Sequence, residues 1–304
     1  MQVANMLALH DGRVAVSGAH VVPDSNAVLV GLIGAGVQLS RSPALHEREG
    51  ARQGLTYIYR LVDLTRLGLG VDALSELVMA ARRFAFTGLN ITHPCKQAIV
   101  PLLDELSPDA RALGAVNTVV FEPDGHSVGH NTDWSGFAES FRRELDGVPR
   151  QHVVLFGAGG AGAAVAHALL TLGAGRLSII DVNNARATHL SADLCGRFGA
   201  ARAAAPADSA RAVATADGIV NATPVGMGSH PGMPIARELL RRDLWVADIV
   251  YFPIETALLR AARELGCRTM AGGGMAVFQA AHAFRLFTGI EANVERMTKH
   301  FDSM

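Results

Sequence analysis

At 304 residues, 49% of them hydrophobic, the chain exceeds one compact domain and carries apolar surface enough for two cores. Its 27 Lys and Arg against 28 Asp and Glu leave a formal charge of -1, which excludes a global basic field for nucleic acid or an anionic membrane. Three cysteines, Cys95, Cys195 and Cys267, stand far apart with no C-x-x-C, excluding a disulfide framework or zinc ribbon and fitting a reducing cytoplasm. No run of about 18 apolar residues occurs. The opening MQVANMLALHDGR breaks its apolar stretch too early for a secretory signal, so a soluble intracellular protein is expected.

Residues 28–34 (VLVGLIG) read as a buried strand, and 42–54 as a helix with Ser42 at its N-cap and Pro43 in the first helical position. The alternation continues with a strand at 56–64, a helix at 72–83, a strand at 85–92, a helix from Pro94 to Leu106 and a hairpin over 115–132 around Pro123-Asp124-Gly125. After the polar stretch 146–151 a second alternation begins with the strand VVLF and an Ala-rich helix over 160–172. It goes on through the strand RLSIID at 176–181, another helix, and strands GIVNAT at 218–223 and WVADIVY at 245–251. That pattern predicts a parallel sheet wound with helices. Helices at 275–288 and 291–301 follow the Gly272-Gly273-Gly274 break and are expected to cover the first domain. Residues 1–27 and the Ala-rich region 200–216 carry little signal.

Two glycine turns compete as a nucleotide cradle. Gly31-x-x-Gly34-x-Gly36 lacks the third glycine of G-x-G-x-x-G and leads into Gln-Leu-Ser-Arg-Ser-Pro, so it reads as a strand-end turn. Gly157-Ala158-Gly159-Gly160-Ala161-Gly162 follows a strand and opens a helix, the context in which backbone N–H groups meet a pyrophosphate. Asp181 ends the next strand, 24 positions after Gly157, where an acid takes the adenosine ribose hydroxyls. A carboxylate there repels a 2'-phosphate and the following Val182-Asn183 supplies no guanidinium, so NAD is favoured over NADP. Arg186 lies a turn further on and could either stack beside the adenine or accommodate a phosphate.

The 27 basic residues are 25 arginines and two lysines, Lys96 and Lys299, and only lysine can plausibly give up its proton. Lys96 is expected in the first turn of the helix after Pro94, whose positive end should lower its pKa toward the range of a general acid or base. Asp133 is the candidate partner, although a turn aspartate at a strand end would also be ordinary. Ser40 and Ser42, two apart, could present their hydroxyls on one side to hold a carboxylate, or Ser42 could be a helix cap alone. The 12 histidines are dispersed, without H-E-x-x-H or an acidic cluster, so no metal is expected. Cys95 reads as a small buried apolar residue before a reactive thiol.

GLNITHPCK, GAVNTVV, GHNTD, the GAGGAG loop, NATPVGM and GGMAVFQAAHAFRLFTG occur in this order, and together they resemble the shikimate dehydrogenase family over residues 28–290. The acid after RLSIID and the LSRSP and GLNITHP segments are most similar to NAD-dependent quinate/shikimate dehydrogenases. The resemblance implies that Lys96 and Asp133 form the catalytic pair, that Ser40 and Ser42 bind the substrate carboxylate, and that Asn90, Thr92, Asn117, Tyr251 and Gln279 line the substrate cleft. On the cofactor side it implies Asn221, Ala222 and Thr223 at the sheet rim, with Val250, Gly274 and Met275 near the nicotinamide. Departures from the commonest family pattern are Cys95, Leu39 and Trp134, the last bordering the acid where it could narrow the cleft.

The expected architecture is α/β: an N-terminal substrate-binding domain over 1–135 and 275–304, and a doubly wound Rossmann NAD-binding domain over 136–274. The expected activity is hydride transfer between NAD and a ring hydroxyl of shikimate, quinate or a close analogue, giving a 3-keto product. The alternative is a sensor of the same fold that binds NAD and an aromatic-pathway acid without turnover. A small hydroxy acid is the expected partner, with no nucleic acid and no membrane, and a homodimer is left open.

Overall fold

The computed structural model describes residues 26–304, so most of the weakly signalled N-terminal stretch lies outside the described residues. In chain order the first half holds β1 (Ala27–Gly34), α1 (Ser42–Arg52), β2 (Thr56–Asp63), α2 (Leu64–Leu67), α3 (Leu74–Arg83), β3 (Gly88–Ile91), β4 (Glu105–Leu106), α4 (Pro108–Leu113), β5 (Thr118–Phe121) and β6 (Ser127–His130). The rest holds α5 (Thr132–Glu144), β7 (His152–Phe156), α6 (Gly160–Thr171), β8 (Arg176–Ile180), α7 (Asn184–Phe198), β9 (Ala203–Ala204), α8 (Ser209–Ala214), β10 (Gly218–Asn221), β11 (Trp245–Asp248), α9 (Ala257–Glu264), β12 (Arg268–Met270), α10 (Gly272–Thr288) and α11 (Val294–Asp302).

Two sheets result. The first has strand order β2-β1-β3-β5-β6-β4, with β1 parallel to both neighbours and the β5–β6 hairpin antiparallel to each other. The second, ordered β12-β11-β10-β7-β8-β9, has only parallel pairs. Every residue of β7, β10 and β11 is buried, as expected for strands covered by helices on both faces. The strand order reverses between β7 and β10, and ligands of doubly wound sheets bind in the crevice at that switch.

The helices α5 and α10 join the halves. Phe137 and Phe141 of α5 enter the core of the second sheet with Trp245, while Phe284 and Phe287 of α10 enter the first-sheet core with Val28, Val30, Tyr57 and Tyr59. Gly136 is what lets the two helices meet: a Cβ there would stand 2.8 Å from the Gln279 backbone N and 2.9 Å from the Met275 O. The C-terminal helices do return to the first half, where the buried Glu49 of α1 accepts from Arg296 of α11 at 2.6 and 2.8 Å.

Four local expectations need correction. Ser42 is the first helical residue and not the cap; Arg41 takes the cap position, and Ser40 Oγ accepts from Ser42 N at 3.3 Å. No α-helix runs from Pro94 to Leu106: turns occupy 93–99 and a 3-10 turn Val100–Leu102. Pro101 can donate no helical hydrogen bond there, and the Lys96 carbonyl accepts from Val116 N at 2.8 Å instead of from its own segment. Gly272-Gly273-Gly274 does not break the chain before a helix but opens α10, because a Cβ on Gly272 would collide with the carbonyls of Ile249 and Val250. Finally, α5 was not anticipated, and residues 135 and 136, the expected domain boundary, lie inside it.

Candidate active site

Lys96, beyond the end of β3, and Asp133, in the first turn of α5, meet. Lys96 Nζ donates to Asp133 Oδ2 at 2.6 Å, with the two side chains 21% and 7% exposed. Asp133 is placed by the N-terminus of α5, where the Asn131 side chain accepts from the backbone N of Asp133 and Trp134 and in turn donates to Ala115 O. That first helical turn favours an anion. Lys96 is held differently from the expectation: with no helix beneath it, its position rests on the backbone bond to Val116 and on the buried Cys95 and Ile99 beside it. Cys95 is wholly buried, which pushes its thiol pKa up, in keeping with a packing role.

Beside this pair runs a chain of polar side chains. Asn117 Oδ1 accepts from Thr132 N at 2.7 Å and its Nδ2 donates to Thr132 Oγ1 at 3.0 Å, fixing Asn117 one residue away from Asp133. Asn90 Nδ2 donates to Asn117 O at 3.2 Å and Thr118 Oγ1 at 3.1 Å, while its Oδ1 accepts from the Tyr59 hydroxyl at 2.8 Å. Tyr59 escaped the sequence reading. Its signal lay in the alternation of β2, where Tyr57 and Tyr59 point to one face and both are buried. Burial pushes the Tyr59 pKa well above the ordinary tyrosine range, so the ring supplies a neutral hydroxyl. Thr92 lies at the end of the same strand as Asn90, and Gly34 is needed opposite because a Cβ there would overlap the Thr92 methyl. Ser40 precedes α1, tied to Ser42 as described.

The second cluster is the glycine loop at the switch point. Gly157 has φ +102°, and a Cβ would sit 2.6 Å from Ala222 O, so no other residue fits the turn. A Cβ on Gly162 would strike the Gly157 carbonyl, the close helix-to-strand approach of this motif. Gly159 and Gly160 face open space, and α6 begins after Gly159 without a side-chain cap, leaving the N–H groups near Ala161 for an anion. These observations fit a dinucleotide. Asp181 accepts from Ala158 N at 2.7 Å and from Asn183 N at 2.8 Å, so it braces the loop from the strand end. Val182 is fully exposed beside it, Asn183 caps α7, and Arg186 is exposed in the first turn of that helix.

Across the switch, Asn221 ends β10. It is buried, its Nδ2 donates to Val225 O and Asp248 Oδ1, and its Oδ1 accepts from Thr223 N and Oγ1. It therefore shapes the loop, and Ala222 and Thr223 are the partly exposed residues at the rim. Asp248, missed in the sequence, is the other half of this network. Val250 is buried, and Tyr251 is 41% exposed with its ring edge-on to Phe301. Gly274 serves helix packing, since a Cβ there would meet Ser140 Oγ of α5. Met275 joins the second-sheet core, and Gln279 follows it by one turn at the Gly136 crossing. Trp134 turns toward α6, its ring edge-on to His167 at 5.3 Å.

Comparison with known proteins accounts for this arrangement. Family models described as "Shikimate dehydrogenase substrate binding domain", "Alanine dehydrogenase/PNT, C-terminal domain" and "Shikimate 5'-dehydrogenase C-terminal domain" match residues 32–119, 142–241 and 272–300. A Streptomyces avermitilis protein named "Shikimate dehydrogenase (NADP(+))" is 60% identical over 90% of this chain and 94% of its own length. A Corynebacterium glutamicum "Quinate/shikimate dehydrogenase (NAD(+))" is 48% identical over 92% of this chain and 100% of its own. Among solved structures, "Quinate dehydrogenase from Corynebacterium glutamicum in complex with NAD" superposes with a TM-score of 0.87 at 47% identity, covering 91% of this chain and 99% of that one. With sequence and fold matched along some nine-tenths of its length, this chain belongs to the shikimate dehydrogenase family.

Proposed function

We propose that the protein is an oxidoreductase that moves a hydride between NAD and a ring hydroxyl of shikimate, quinate or a close analogue, with Lys96 and Asp133 as its catalytic pair. The 2.6 Å Lys96–Asp133 contact, beside the polar chain of Asn117 and Asn90, carries the proposal, because a sensor needs no such proton-handling pair. A bound nicotinamide would supply the hydride acceptor for this oxidation. Lys96 acts as the neutral amine, its ammonium having first released one proton to water, and takes the hydroxyl proton as the carbonyl forms. Lys96 occupies only Oδ2 of Asp133 in this ion pair, so Oδ1 is left to orient the same hydroxyl. Ser40 and Ser42 hold the carboxylate, while Asn90, Thr92, Asn117, Tyr251 and Gln279 fix the ring so that the reacting carbon lies near the dinucleotide.

The relatives' names differ in dinucleotide, and the residue that decides here is Asp181. Its carboxylate at the strand end disfavours a 2'-phosphate, and NAD is the cofactor it supports, held by Gly157 to Ala161, Val182, Asn183, Arg186, Ala222, Thr223, Val250 and Met275. No helix among the described residues is long and apolar enough to cross a membrane. Near-neutral charge and three unpaired cysteines support a cytoplasmic enzyme acting on a small molecule, without nucleic acid or membrane, as a monomer or homodimer. The test is NADH absorbance with quinate and with shikimate. Turnover of either supports the proposal; binding of acid and dinucleotide without turnover would make the protein a sensor.

A further inference from the structure

Two loops at the dinucleotide rim leave adjacent strands, one after β10 (residues 222–226) and one after β11 (residues 249–256), and a single buried carboxylate ties them together. Asp248 has no solvent exposure. Its Oδ1 accepts from Asn221 Nδ2 at 3.0 Å and from Val250 N at 3.0 Å, and its Oδ2 accepts from Thr256 Oγ1 at 2.7 Å. Each donor controls a different stretch: Asn221 folds the 222–226 loop through Val225 O and Thr223, Val250 begins the Tyr251 loop, and Thr256 caps α9 where that loop ends. Gly226, with φ +105°, closes over Oδ2.

We propose that Asp248 is a positioning residue for the dinucleotide, acting through Asn221, Val250 and Thr256, and that it must be ionised to do so. The proposal rests on the functional reading given above. A carboxylate accepts all three donors, whereas a carboxyl protonated on Oδ2 can keep Thr256 only by donating to its hydroxyl, so the buried Thr256 O–H loses its acceptor in the strut. The groups that face it are neutral: the Asn221 amide, the Val250 N–H, the Thr256 hydroxyl and the Gly226 backbone. Burial without a countercharge raises its pKa to about 6, against which the three hydrogen bonds work. Affinity for the dinucleotide therefore falls as pH drops through that range, while one hydrogen bond lost from the strut is worth about 1 kcal/mol, or roughly fivefold in affinity.

The experiment is NADH fluorescence titration of the whole protein between pH 5 and 8, with wild type, Asp248→Asn and Thr256→Val. Wild type should bind about fivefold more weakly at the acid end. Asp248→Asn should bind weakly at every pH with a flat profile, since the amide resembles the protonated carboxyl. Thr256→Val removes one donor to the carboxylate, so its acid limb should move to higher pH; it keeps the test available if the asparagine variant does not fold. Parallel pH profiles for all three proteins would overturn the inference alone. Failure of the wild type to bind either NADH or NADPH would overturn the functional reading and this inference together.

Discussion

Replacing Lys96 with alanine separates chemistry from folding, because the structure bounds each effect. Breaking a fully buried ion pair costs about 3–5 kcal/mol through the orphaned charge. Here the lysine side chain is 21% exposed, so water reaches the carboxylate once the ammonium is gone. The stability loss should therefore be about 1–2 kcal/mol. A protein with an ordinary margin of about 5–15 kcal/mol stays folded under that loss. Loss of the proton-transfer group should lower kcat by about 10²–10⁴, which is roughly 3–5.5 kcal/mol on the barrier. The dinucleotide loop lies on the other sheet, so NADH affinity should hardly move. Initial rates at saturating acid and NAD, an NADH titration and a urea melt on the same preparation measure the three quantities. A variant with near-normal kcat, or one whose loss of activity tracks its unfolded fraction, would refute the assignment of Lys96.

Asp181→Ala should weaken NAD by about tenfold, partly through the ribose and partly because Ala158 N and Asn183 N lose their acceptor, and should shrink the preference over NADP. A native enzyme using NADP as well as NAD in side-by-side kcat/KM would contradict the role of this carboxylate. His46, buried against Tyr57, Tyr59, Phe284 and Phe287, has its pKa lowered to about 3 by burial. Because the unfolded chain binds its proton near pH 6.5, the stability this neutral ring contributes above that pH is lost progressively as pH falls toward 3. Urea unfolding at a series of pH values should show that acid slope flattened in His46→Phe, and an unchanged slope would exclude His46 as its source.

The parts of the fold visible in the sequence were those with a local cause. The strand-loop-helix around Gly157 needs only apolar residues, glycines and alanines in sequence, and it formed where expected. Lys96 and Asp133 are legible as chemistry, but the support of Lys96 is not local: Pro101 ends any helix there and Val116, distant in sequence, takes the Lys96 carbonyl. Tyr59 and Asp248 were missed because each acts through partners 31 and 27 positions away, Asn90 and Asn221, and no local pattern records such a pairing. The helix after Asn131 has local signals in its cap, the acid in its first turn and the spacing of Phe137 and Phe141.

The crossing of α5 and α10 at Gly136 limits how this protein can be taken apart. The two helices are far apart in sequence, yet each plants its aromatic residues in a different sheet. A nucleotide-binding half cut out at residue 136 would lack the start of α5 and most of its partner α10, and the face of α5 that α10 covers around Gly136 would meet water. A chimera made to exchange dinucleotide preference with a relative should therefore carry α5 and α10 together as one cassette. Grafting between β7 and β12 alone would join a donor sheet to a helix pair shaped for another core.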